Sequence, residues 1–102
     1  MSAYDFNWNR DFSEEVYSRL VSSDKFICDS VLPHDPILES TLQANAAAGL
    51  NNIDVASKQG KLFYLLAKLA SAKNILEIGT LGGYSALWFA KAIPADGKVV
   101  TL

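Results

Sequence analysis

Residues 74–85 read NILEIGTLGGYS, and what this stretch becomes decides the fold. Ile75, Leu76 and Ile78 make a short apolar run that carries one acid, Glu77, and is bounded by Asn74 and Gly79. A run of this length between turn residues reads as a strand covered on both faces. Gly79, Gly82 and Gly83 follow as the glycines of a turn. From Tyr84 to Ile93 the chain reads YSALWFAKAI, apolar nearly all round and interrupted by Ser85 and Lys91. That pattern predicts a helix wedged between other elements. PADG is a turn and KVVTL begins a second strand. Strand, turn, helix, turn and strand make one β-α-β unit, whose right-handed crossover lays the two strands parallel.

Upstream the signals are helical. Asp11 and Glu14 form a capping pair for a helix running to about Asp24, with a second short helical stretch from Lys25 to Val31 before Pro33. HDPILESTLQANAAAGL is sharper. Asp35 accepts from first-turn amides, Pro36 suits the first helical position, and Gly49 suits a left-handed exit, which predicts a helix over 36–48. A third helix is expected over about 56–71, where Leu62, Leu65, Leu66 and Leu69 recur at one-face spacing beside Phe63. The first ten residues are polar with Tyr4, Phe6 and Trp8 interleaved.

The totals narrow the class. The 102 residues suffice for one domain, half are hydrophobic, a fifth are charged, and the net charge is -2. With lysines and arginines scattered, no surface suits a nucleic-acid backbone or an anionic membrane. No apolar stretch approaches the roughly 20 residues of a membrane span, and no secretory signal opens the chain. The single cysteine, Cys28, fits a reducing compartment and a small apolar filler better than a catalytic thiol. A cytoplasmic location is expected.

The glycine turn is the place for a ligand, because parallel sheets bind at the carboxyl ends of their strands. Gly79 permits a tight exit, and Gly82 and Gly83 permit positive φ or close approach. The unpaired amides at the following helix start can receive an anionic group, and Ser85 stands there to cap the helix or to donate. The spacing is not that of a dinucleotide fingerprint, since Leu81 occupies the place of the second glycine. Glu77 would repel a phosphate but suits a ligand with positive charge. S-adenosylmethionine offers a sulfonium and an ammonium for the acid, and a carboxylate for the amides. The plainer alternative has Glu77 capping a surface turn and the glycines shaping a connection.

Taken whole, QGKLFYLLAKLASAKNILEIGTLGGYSALWFAKAIPADGKVVTL resembles the cation-dependent small-molecule O-methyltransferases, the family of catechol and caffeoyl-CoA O-methyltransferases. The E-I-G-T-x-x-G-Y-S core carries the resemblance, from about residue 53 onward. It implies an α/β chain: N-terminal helices over 1–53, then at 54–102 the first β-α-β unit of a Rossmann-like class I methyltransferase fold, truncated. It also implies cofactor-binding roles for five residues. Val55 contacts the methionine part through its backbone, Glu77 is the acid ending the first strand, Gly79 and Thr80 line the turn, and Ser85 meets the carboxylate end. Tyr84 matches the family's tyrosine and reads equally as a packing aromatic.

The resemblance further implies a ribose-binding acid just after Leu102. A divalent cation, Mg or Ca, would be held by two aspartates and an asparagine much further on. No catalytic or metal-ligating residue is therefore expected within these residues, and His34 reads as a surface residue. The function implied is S-adenosylmethionine-dependent methylation of a phenol- or catechol-type hydroxyl on a small molecule, with this N-terminal part inactive alone and a homodimer in prospect. The alternative is a non-catalytic, shortened paralogue serving as an interaction or dimerisation module. A nicotinamide-binding unit stands third, disfavoured by Leu81.

Overall fold

The computed structural model describes residues 13–102, so Asp11 of the expected capping pair lies outside the described residues. The chain divides into two compact units, one ending at Leu32 and the other running Pro33–Leu102. The first unit contains helix α1, Glu14–Val31, capped by Ser13, whose side chain accepts from the Val16 amide. The expected break near Asp24 is absent. No proline or glycine interrupts this stretch, and the Cys28 thiol reaches back one turn to the Asp24 carboxylate across the place.

The second unit holds α2 (Pro36–Ala47), α3 (Ser57–Leu69), β1 (Asn74–Glu77), α4 (Tyr84–Ala92) and β2 (Lys98–Thr101). It is an α/β arrangement in which β1 and β2 pair in parallel, Asn74 opposite Lys98 and Glu77 opposite Thr101. Helix α2 starts as its sequence dictates: Asp35 accepts from the Ile37 and Leu38 amides, and Pro36 follows. A Lys91–Asp35 ion pair of 2.6 Å ties that start to the end of α4.

Helix α3 packs on α4 through its small residues. Gly60 and Ala67 are buried, Phe63 stacks on Phe89 with ring centroids 5.3 Å apart, and Gly60 lies under the buried Trp88. The leucine row that marks the helix in the sequence is not the face that packs on α4. Leu62, Leu65, Leu66 and Leu69 are exposed, Leu69 to 84%. The bulky Trp88 and Phe89 of α4 need the glycine–alanine side, so the leucines turn away from it.

Strand β1 differs in the same sense. Residues on alternate sides of a strand face opposite ways, and Glu77 faces α4, where Ser85 meets it. Ile75 shares that side, whereas Leu76 and Ile78 are 65% and 83% exposed, so the strand is covered on one face and not on both. Among the described residues no helix is long and apolar enough to cross a membrane.

Candidate functional site

Parallel register sets the first contact of the site. Glu77 and Thr101 are direct neighbours across β1 and β2, so their side chains emerge on the same side. The Thr101 hydroxyl donates to Glu77 Oε1 at 2.8 Å, and Ser85, in the first turn of α4, donates to Oε2 at 2.5 Å. Thr80 Oγ1 lies 2.8 Å from Thr101 Oγ1. Each hydroxyl has one proton. The Thr101 hydroxyl already donates its hydrogen to the carboxylate in a hydrogen bond, so Thr80 is the donor in that pair. The chain of bonds therefore runs Thr80 to Thr101 to Glu77, with Ser85 arriving from the other side. A carboxyl group accepting a hydroxyl hydrogen bond on each oxygen is fixed in orientation.

The turn between Glu77 and Ser85 is shaped by backbone conformation. Gly79 has φ of 102° and Gly83 has φ of 82°, both in the left-handed region open to glycine. Leu81 adopts φ of 46°, an uncommon state for a branched side chain. Gly82 has a different reason to be glycine: a Cβ there would stand 2.1 Å from Asn45 Oδ1. The amides of Gly79 and Thr80 both donate to the Leu102 carbonyl, at 2.8 and 3.1 Å, and that of Gly83 donates to the Thr80 carbonyl at 2.8 Å. Gly79 and Thr80 thus serve the turn by its course rather than by free N–H groups. Open donors belong to the next residues, at the start of α4, whose amides have no intrahelical partner. Gly83 caps that helix without a side-chain bond, so Ser85 is not its cap.

Val55 precedes α3, in a segment tied toward the same turn by its neighbours. Its neighbour Asp54 accepts from Asn45 Nδ2 at 3.1 Å, and Asn45 lies against Gly82. Two residues on, Ser57 accepts from the Tyr84 hydroxyl at 3.0 Å. The segment holding Val55 is therefore fastened on both sides to residues of the turn and of α4. Tyr84 is buried and its hydroxyl is spent on Ser57, which makes it a packing residue. Sequence reasoning missed Thr101 and Asn45. The first could have been found by counting along the two strands from Asn74 and Lys98. The second, a buried polar residue in an alanine-rich helix, gave no signal.

Among the described residues no three His, Cys, Asp or Glu side chains form a group that could hold a metal ion. His34 is exposed and pairs with Glu39 at 2.7 Å. Cys28 is an unpaired thiol on α1.

A family model for O-methyltransferases matches residues 29–102. The catechol O-methyltransferase of Niastella koreensis is 46% identical over 81 residues, which cover 79% of this chain and 37% of that protein. Caffeoyl-CoA O-methyltransferase 2 of Petunia hybrida is 33% identical over 99 residues, covering 92% of this chain and 41% of that one. The crystal structure of the O-methyltransferase from Bacillus cereus in complex with SAH superposes with a TM-score of 0.76 at 49% identity, over 78% of this chain and 36% of that one. The chain thus spans about two fifths of the length of these relatives.

Proposed function

Because this chain belongs to the O-methyltransferase family, we propose that it captures S-adenosylmethionine at the glycine turn, for methyl transfer to a phenol- or catechol-type hydroxyl of a small molecule. One observation carries the reading: the Glu77 carboxylate, fixed by two hydroxyls, stands beside the open amides at the start of α4. An acid and an anion-receiving helix start, one turn apart, complement an amino acid moiety with its ammonium and its carboxylate. Glu77 takes the ammonium, and the α4 amides with Ser85 take the carboxylate. Val55 adjoins the methionine chain, and Gly79 and Thr80 form the wall of the turn.

When bound, S-adenosylmethionine supplies a sulfonium methyl group for transfer to the acceptor oxygen. Cofactor capture, not the chemical step, is the part assigned to these residues. The divalent cation expected from the resemblance finds no ligand group among the described residues. Support for the cofactor comes from the Bacillus cereus relative, whose structure holds SAH. Support for the acceptor class comes from the catechol and caffeoyl-CoA enzymes among the relatives.

Calorimetric titration of the purified chain with S-adenosylhomocysteine tests this, alongside amide NMR. Saturable binding with shifts at Glu77, Gly79 and Ser85 is expected, without turnover of a catechol by these residues alone. Absence of binding, or shifts confined elsewhere, would refute the reading.

A second reading, an interaction module, draws on one observation: the exposed row of Leu62, Leu65, Leu66 and Leu69. Light scattering after size exclusion decides it, with a stable oligomer dissolved by Leu65→Glu and Leu69→Glu in its favour. A monomer throughout would count against it.

A further inference from the structure

We infer that Thr101 is a positioning residue for the ammonium-binding acid, holding Glu77 in place when Ser85 leaves it for the ligand. The inference rests on the cofactor reading above and follows from proton count. Ser85 has a single hydroxyl hydrogen, and in this structure it is donated to Glu77 Oε2. To donate to a ligand carboxylate, Ser85 must turn away from Glu77. The acid then loses one of its two hydroxyl donors at the moment it has to meet an ammonium.

Thr101 stays. Its hydroxyl is fixed on Oε1 by strand register, since Glu77 and Thr101 are paired neighbours in β1 and β2. It is also fixed from behind, because Thr80 donates to it at 2.8 Å. A hydroxyl that accepts from a neighbour becomes a better donor, so the Thr80 bond strengthens the one to Glu77. Thr101 does not touch the ligand in this scheme, and the Thr80 hydroxyl is turned to Thr101 while the rest of the residue lines the turn. The two hydroxyls act through the acid, and they bias the site toward ligands that carry the amino acid moiety over ligands that end at the thioether.

The test uses two probes, S-adenosylhomocysteine and 5′-methylthioadenosine, which shares the nucleoside and the sulfur but lacks the ammonium and carboxylate. Thr101→Val keeps the shape and the strand preference and removes the donor. Its affinity for S-adenosylhomocysteine is expected to fall about tenfold, because an acid no longer pinned by Thr101 has to be ordered on meeting the ammonium, with 5′-methylthioadenosine affinity unchanged. Thr101→Ser restores binding, and Thr80→Val, off the strand, gives a smaller loss with the same selectivity. Equal losses for both probes, no loss, or no rescue by serine would overturn the inference.

A ligand-free measurement separates this from the cofactor reading. The 13C resonance of the Glu77 carboxyl carbon is expected to move in Thr101→Val and to return in Thr101→Ser. If the unmodified chain binds no S-adenosylhomocysteine, the cofactor reading falls and the carbon shift still decides whether Thr101 holds the acid. An unmoved resonance overturns the Thr101 assignment whatever the titration shows.

Discussion

The indole of Trp88 lies over Gly60 so closely that a Cβ at position 60 would stand 2.2 Å from Nε1. Glycine inside a helix normally weakens it by about 1 kcal/mol relative to alanine. Here the missing side chain is what lets α3 and α4 meet. Trp88 is buried and its ring is rigid, so it cannot yield as a flexible side-chain end would. Gly60→Ala is expected to cost about 3 kcal/mol in overpacking, offset by about 1 kcal/mol of helix propensity. Urea denaturation should show a net loss of about 2 kcal/mol. A stabilised Gly60→Ala protein would mean that the two helices have room to separate.

The neighbouring glycines of the turn are expected to respond for different reasons. Gly82→Ala drives a methyl against the Asn45 amide. Asn45 can swing away only by giving up its bond to Asp54, a loss of about 1.5–3 kcal/mol for a hydrogen bond to a charged group. Gly83→Ala meets nothing within reach and carries only the strain of left-handed backbone, about 1 kcal/mol. A double-mutant cycle separates the two. In an Asn45→Ala background Gly82→Ala should become nearly neutral, while Gly83→Ala keeps its full effect. Equal behaviour of both glycines in that background would contradict the contact.

These contacts mark the limit of what the sequence discloses. The β-α-β unit, the Asp35–Pro36 helix start and the parallel pairing are local patterns, and each appears as read, because caps and periodicity act within a few residues. The leucine row of α3 shows where such reading fails. Periodicity identifies an apolar face but not its partner, and the side chosen by α4 depends on where Trp88 fits. Glu77 and Ser85 were legible as neighbours of the turn, and the structure joins them directly. That both carboxylate oxygens are occupied went unread, although the partner on the second strand, Thr101, follows once the two strands are set in register. Asn45 is harder still, since nothing in ANAAAG distinguishes a buried clamp from a solvated amide.

The ion pair between Asp35 and Lys91 gives a pH prediction. The Lys91 hydrogen bond, with help from the Leu38 and Ile37 amides, holds the Asp35 carboxyl below its ordinary value of 3.8 against a smaller opposing effect of burial. A group whose folded value is depressed stabilises the protein above its unfolded value, and that stabilisation is lost as pH falls through the folded value. Asp35→Asn keeps a good helix cap and deletes the charge. Its stability should therefore fall less steeply than that of the unmodified protein as pH drops from about 5 toward 2. Parallel stability curves over that range would show the ion pair to be without effect.

The charge on Glu77 provides the most direct test of the site. Glu77→Gln preserves shape and still accepts the Thr101 proton on its one remaining oxygen, while Ser85 can turn to accept from the new amide. The fold should survive, with a melting temperature within a few degrees of the unmodified protein. Replacing the carboxylate removes the partner of an ammonium and leaves the α4 amides untouched. Affinity for S-adenosylhomocysteine is then expected to fall by about one to two orders of magnitude, the range for a charge-assisted bond. Ser85→Ala should weaken binding only severalfold, because helix-start amides remain for the carboxylate. If Glu77→Gln binds S-adenosylhomocysteine as well as the unmodified chain does, the acid serves only the hydroxyls of Thr101 and Ser85. The glycine turn would then be a connection between strand and helix, with no ligand of its own.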